Sequence, residues 1–78
     1  MEPRTITWEL GARRRVILDH TGPRRWFVTL DTAGADPAVA SATSFAGACE
    51  ATAELTGLAV ELVRRELVPL HCYAVIGG

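Results

Sequence analysis

The sequence predicts an α+β fold in which a small antiparallel sheet is covered on one face by one main helix. Its 78 residues are 49% hydrophobic and 22% charged, a composition that is ordinary for a globular chain with one small core. Residues 5–31 contain three apolar runs separated by short turns, which is typical of a β-meander. Residues 44–57 show a clear amphipathic helical pattern. We therefore expect a single domain over residues 1–78 with the order β-β-β-α-β(-β), in which the last strand is optional.

Three strands are predicted in the first half of the chain, over residues 5–10, 13–20 and 24–31. In the first of them apolar and polar residues alternate with a period of two, which indicates a strand with one face in solvent. Glycine at positions 11 and 22 and proline at position 23 favour a turn after each of the first two strands.

The two turns predict a register, and the register predicts which side chains share a face of the sheet. If each turn is tight, Trp8 faces Arg15 and Ile17 faces Trp26. The face that we expect the helix to cover then collects Ile6, Trp8, Leu10, Ile17, Trp26, Val28 and Leu30. The opposite face collects Thr5, Thr7, Glu9, Arg14, Val16, Leu18, Arg25, Phe27 and Thr29.

Residues 32–43 are predicted to form a loop, since an Ala-Gly-Ala-Asp-Pro run favours a turn or an extended path. Within this loop, Val39 and Ala40 are able to add a short edge strand. Thr43 or Ser44 is expected to cap the helix that follows, because a hydroxyl at this position accepts a hydrogen bond from a free backbone amide.

After Gly57 the sequence allows two interpretations. We expect the helix to stop there, because glycine followed by an apolar residue fits a helix C-terminus, with strands over residues 58–65 and 71–76 and a turn at Pro69. The alternative is a helix that continues through Gly57 to Leu67, because charged residues continue the polar face of the helix. Such a helix would be about 36 Å long, against roughly 20 Å for a six-residue strand, which favours the break.

The residues that most often carry chemistry do not form a recognisable motif. Cys49 lies on the apolar side of the predicted helix, where packing is the expected role. His71 and Cys72 are neighbours in a predicted strand and so point to opposite faces, which prevents a nucleophile–base pair. No predicted element presents two of the residues His20, Cys49, His71 and Cys72 at the spacing of a metal-ligand pair. We expect neither an enzyme nor a bound metal or cofactor.

Charge and hydropathy restrict the partners. The formal net charge is −1, and the arginines of residues 13–15 and 24–25 fall at opposite ends of the predicted sheet. The two arginine groups thus do not form one basic surface, and nucleic acid is not the expected partner. A weak nucleic-acid-binding regulator is kept as an alternative. No secretory or membrane-spanning segment is recognisable, which predicts a cytoplasmic protein with reduced Cys49 and Cys72 and no membrane partner.

The C-terminal residues suggest another alternative. The chain ends in Ala-Val-Ile followed by Gly77 and Gly78. In size and in this ending it resembles ubiquitin-like modifiers and sulfur-carrier proteins, whose Gly-Gly tail threads into an adenylating enzyme. The likeness extends to the predicted helix-glycine-strand segment of residues 48–69, although three strands rather than two precede the helix. The resemblance implies a carrier or modifier that acts through Gly77 and Gly78.

The main functional hypothesis is a non-catalytic module that binds itself, as a homodimer, or another protein. A helix on the tryptophan-bearing face would leave the opposite face open, with an apolar centre and an arginine-containing rim, which suits a protein interface. The expected interface residues are Val16, Leu18, Phe27, Arg14 and Arg25.

Overall fold

A computed structural model describes the backbone of residues 4–77 and the side chains of residues 4–71. It confirms the α+β class with an antiparallel sheet, but the order of elements is β-β-β-β-α-α. The elements are β1 (Arg4–Gly11), β2 (Arg14–Gly22), β3 (Arg25–Thr32), β4 (Ala38–Ala42), α1 (Phe45–Thr56) and α2 (Val60–Gly77). The short edge strand considered around Val39 is thus present as β4, and the predicted loop shrinks to residues 33–37.

The strands form one sheet in the order β1-β2-β3-β4, and each pair of neighbours is antiparallel. The first turn is tight because Ala12 and Arg13 both adopt positive φ, at 52° and 61°, the backbone conformation of two-residue hairpins with a right-handed twist. Neither hairpin is regular, however. The register shifts between Glu9 and Gly11 in β1, and again between His20 and Gly22 in β2.

These register shifts reverse the predicted faces of β2. Trp8 pairs with Val16 rather than Arg15, and Trp26 pairs with His20 rather than Ile17. The β1–β2 register differs from the predicted one by one residue, and the β2–β3 register differs by three. Because side chains alternate along a strand, either odd shift moves every side chain of β2 to the other face. Val16 and Leu18 are therefore fully buried on the covered face, whereas Ile17 lies on the open face.

The prediction for β1 and β3 agrees with the structure, since Trp8 and Trp26 share the covered face and Phe27 lies on the other. The two faces carry different chemistry. The covered face supplies the apolar side chains of the core, which are joined by residues of both helices. The buried core consists of Ile6, Val16, Leu18, Trp26, Val28, Ala48, Cys49, Val63 and Leu67.

Helix α1 packs on β3 and β4, and α2 packs on α1 and β1, so both helices lie on the same face of the sheet. Small buried residues of α1, Ala48 and Cys49, allow its backbone to approach the sheet closely. Thr52 is also fully buried, and its hydroxyl donates a 2.7 Å hydrogen bond to the carbonyl oxygen of Ala48, so this polar group is satisfied.

Helix α1 begins and ends as the sequence predicts. The Ser44 hydroxyl accepts a 3.0 Å hydrogen bond from the backbone amide of Gly47, which is an N-cap. Gly57 adopts φ 76°, and its amide donates to the carbonyl of Ala53, which ends the helix.

The strands predicted over residues 58–65 and 71–76 are wrong, and so is the alternative of one continuous helix. A second helix, α2, begins at Val60 and contains Pro69, where a turn was expected. Val63 and Leu67, one helical turn apart, are both fully buried. A second helix fits on the sheet because the chain turns back after Gly57, so α2 packs on α1 and β1. Helix α2 has its own apolar surface to cover.

The face assignment of β2 can be tested by a matched pair of substitutions. We expect Leu18→Ala to lower the free energy of unfolding by about 2 to 5 kcal/mol, because it leaves a cavity in the core. Ile17→Ala, the neighbouring residue on the open face, is expected to cost roughly 1 kcal/mol at most. Urea unfolding measures both values, and equal costs would contradict the register.

The end of α1 gives a second test. Gly57→Ala is expected to lower the free energy of unfolding by about 1 to 2 kcal/mol, since residues with a Cβ disfavour positive φ. No atom lies within 4 Å of the position that the new Cβ would take, so the cost comes from the backbone conformation alone. Gly57→Asn should cost less in the same urea titration, because asparagine tolerates this conformation. A Gly57→Ala protein as stable as the parent would contradict the left-handed cap.

Candidate interaction surface

The outer face of the sheet, which neither helix covers, has an apolar centre formed by Ile17, Phe27 and Val39. Thr29 of β3 pairs with both Ile17 and Val39. Phe27, two residues from Thr29 on the same strand, is therefore diagonal to both apolar neighbours and within reach of them. Phe27 is 41% exposed and Val39 is 62% exposed. We call these three residues the apolar triangle.

Charged side chains border this triangle on two sides. On one side Arg15 pairs across the strands with Glu9 and Asp31, and its Nε donates a 2.7 Å hydrogen bond to Oε1 of Glu9. On the other side Asp19 accepts a 2.9 Å hydrogen bond from the hydroxyl of Thr5. The Glu9–Arg15 pair is exposed and so adds little to stability. The border thus contains both signs of charge within one face.

The structure does not bring the five predicted interface residues together. Val16 and Leu18 are buried under the helices, which corrects their assignment to the outer face. Phe27 is on the outer face as expected. Arg14 begins β2 and Arg25 begins β3, so the two arginines lie at opposite ends of the sheet. The sequence analysis missed Ile17 and Val39, because neither the register shifts nor β4 carried a strong signal.

Each end of the sheet has a pocket lined by arginines. The pocket at the β2–β3 turn has a volume of about 330 Å³ and is lined by Arg24, Arg25, Trp26, Phe27, Ser41, Ala42 and Thr43. The pocket at the β1–β2 turn has a volume of about 230 Å³ and is lined by Glu9, Arg13, Arg14, Arg15, Asp31 and Ala33. Nine residues of β2 separate the two turns, which corresponds to roughly 30 Å. This separation is the one that the sequence predicts for the two arginine groups.

Trp26 is the centre of an aromatic cluster that joins the sheet to both helices. The His20 ring stacks on it, with centroids 4.1 Å apart and planes within 6° of parallel. Phe45 and His71 also contact Trp26, with centroids 5.5 and 5.4 Å away, and these two rings stack on each other at 4.2 Å. The cluster therefore connects β2, β3, α1 and α2. This cluster was not predicted from the sequence, because His71 was expected on a strand.

The environment of His71 lowers its pKa. Burial is the main cause, because it disfavours the charged form of the ring. The nearby His20 and the Arg4 guanidinium add to the effect by charge repulsion. Within the part of the chain that the structure describes, no three His, Cys, Asp or Glu side chains are grouped so as to hold a metal ion.

Cys49 is a free, fully buried cysteine, and burial raises the pKa of its thiol. A raised pKa keeps the thiol protonated, so Cys49 lacks the properties of a nucleophile. The side chain of Cys72 lies outside the described residues.

The resemblance to ubiquitin-like proteins does not extend to the fold. The segment of residues 48–69 is helix-glycine-helix rather than helix-glycine-strand. Gly77 is the last residue of α2, and Gly78 lies outside the described residues. The order of elements therefore gives no support to a carrier role for the tail.

Any functional conclusion about this chain rests on its own fold and surfaces. No family model, curated protein or solved structure matches the chain. Among residues 4–77, neither helix has the length and apolar character needed to cross a membrane.

The lowered pKa of His71 predicts a dependence of stability on pH. In the unfolded chain this group binds a proton near its ordinary value of 6.5, whereas in the folded chain it does so at lower pH. The contribution of His71 to the free energy of unfolding is therefore fully present above pH 6.5 and is lost as the pH falls below that value. His71→Phe, which keeps a ring in the cluster, is expected to reduce the loss of stability between about pH 7.5 and about pH 5.5.

Urea unfolding of both proteins at the two pH values provides the measurement. At the higher pH the two proteins should have similar stability, because one uncharged ring replaces another, and this comparison is the control. An identical pH dependence in the parent and in His71→Phe would show that His71 titrates normally in the folded protein.

Proposed function

We propose that this protein is a non-catalytic module that forms a homodimer through the outer face of its sheet. The observation that carries the proposal is the apolar triangle of Ile17, Phe27 and Val39, on a face that both helices leave open. Exposed apolar groups that lie together on one face cost free energy in water, and a partner surface removes that cost.

A second copy of the chain is the partner whose charge fits this face. The face carries Arg15 beside Glu9 and Asp31, so two copies placed face to face about a two-fold axis present both signs of charge to each other. Because Arg15 and Asp31 are already cross-strand neighbours, the face supplies its own complementary charges.

The size of the face predicts a weak and reversible dimer. Four strands about 4.8 Å apart, the first three of them eight or nine residues long, span roughly 15 Å by 27 Å. This corresponds to on the order of 400 Å² per copy and about 800 Å² for the pair, which is below the range of stable interfaces. We therefore expect dissociation constants in the micromolar range or weaker.

The remaining parts of the molecule favour a binding role over catalysis. The Cys49 thiol is buried with a raised pKa, and both arginine-lined pockets are open depressions at the ends of the sheet. A buried free thiol is compatible with the reducing cytoplasm that the sequence analysis predicts as its setting.

Sedimentation of a concentration series, from about 10 µM to about 1 mM, tests the dimer. The mass of the parent protein is expected to rise from that of one chain toward that of two. Val39→Glu is expected to stay monomeric, because it places a charge in the apolar triangle while changing a side chain that is 62% exposed. Its circular dichroism spectrum should match that of the parent.

Val68→Glu is the matched control, since Val68 is an exposed valine on α2, away from the sheet. This variant should dimerise like the parent. A parent protein that remains monomeric at about 1 mM would sink the proposal. So would loss of the dimer in Val68→Glu but not in Val39→Glu, because the contact would then involve the helices.

A further inference from the structure

The pocket at the β2–β3 turn combines positive charge, hydroxyl groups and an aromatic ring. Arg24 lies in the turn and Arg25 begins β3. Ser41 pairs with Phe27 across β3 and β4, and Thr43 follows β4, so two hydroxyl-bearing residues and Phe27 line the same space. The volume of about 330 Å³ is at the lower end of the range for small-molecule sites.

The charges of this pocket are not neutralised. Among the described residues, neither Arg24 nor Arg25 forms an ion pair with a carboxylate. Asp19 is the cross-strand neighbour of Phe27, and its Oδ1 accepts a hydrogen bond from Thr5 on β1 rather than from an arginine of this pocket. Two guanidinium groups are thus available to an anion from solution.

The pocket at the opposite turn shows what a neutralised arginine group looks like in the same molecule. There Arg13, Arg14 and Arg15 share their pocket with Glu9 and Asp31, and Arg15 is bonded to Glu9. That pocket offers no aromatic ring. The two ends of the sheet therefore differ in charge balance and in the chemistry that they present.

We propose that the pocket formed by Arg24, Arg25, Phe27, Ser41 and Thr43 binds a mononucleotide. The guanidinium groups bind the phosphate, for which their planar geometry is suited. The hydroxyls of Ser41 and Thr43 supply further hydrogen bonds to phosphate or sugar oxygens. The exposed ring of Phe27 provides a face on which the base stacks. The site goes beyond the proposed dimer and does not depend on it.

Calorimetric titration with adenosine 5′-monophosphate tests the proposal. The parent protein is used at a concentration at which sedimentation shows a single chain, because a monomer leaves Phe27 accessible. We expect a dissociation constant below about 1 mM. Inorganic phosphate alone and adenosine alone should each bind at least about tenfold more weakly, since each makes only part of the contacts.

Substitutions in the parent protein, at the same low concentration, assign the binding to this pocket. Arg24→Ala and Arg25→Ala are each expected to weaken binding about tenfold, because each removes a charged hydrogen-bond donor. Phe27→Leu should weaken the binding of the nucleotide but not that of phosphate, whereas Phe27→Trp should retain both. Arg13→Ala, which removes the same charge at the other end of the sheet, is the control and should leave binding unchanged.

Three results would overturn the proposal. The first is no saturable binding of the nucleotide up to about 10 mM. The second is an equal loss of affinity in Arg13→Ala and Arg24→Ala, which would indicate nonspecific attraction to positive charge. The third is binding of a 5′-phosphorylated oligonucleotide more than tenfold tighter than the mononucleotide, which would replace the small molecule by a nucleic-acid strand. None of these results bears on the dimer, which is measured on the parent protein without ligand.

Discussion

The burial of Val16 and Leu18 against the two helices is the constraint on which the rest of the structure depends. These residues lie at the centre of the covered face, where they pair with Trp8 and Ile6 on one side and with residues of β3 on the other. Their burial determines that the odd-numbered side chains of β2 face outward. The open face, its charges and its apolar triangle all follow from this one alternation.

The aromatic cluster extends the same core to the end of the sheet near the β2–β3 turn. Trp26 contacts a ring from β2, a ring from α1 and a ring from α2. In the described part of α2 after Leu67, Val68 and Leu70 are exposed, and His71 makes the contact with the cluster. His71 contacts both Trp26 and Phe45, so protonation of its ring affects the packing of this cluster.

The sequence predicted those features that depend on local chemistry. The alternation in β1, the Ser44 cap and the stop at Gly57 each reflect a preference of one or a few neighbouring residues, and each is present in the structure. The faces of β2 could not be predicted, since a single unpaired residue in each hairpin changes the register and no residue type requires it. The same error moved Val16 and Leu18 to the wrong face and left Phe27 correctly placed.

The nature of α2 could not be predicted from the length of the segment alone, because the direction of the chain after Gly57 depends on what it packs against. Buried Val63 and Leu67 have helical spacing, and the three charged residues between them also fit a helix. The sequence therefore contained the helical signal. One long straight helix would overhang the sheet. Two helices that form a hairpin do not, because each is shorter and the second folds back on the first.

Strand β4 has a consequence for the growth of the sheet. It is an edge strand of five residues, Ala38–Ala42, and none of them is charged. An uncharged edge normally invites a strand from another molecule to add to it. Here the strand is so short that few outward-pointing amides and carbonyls are free, and Pro37 just before it lacks an amide hydrogen. Brevity thus replaces charge as the protection against fibre formation along this edge.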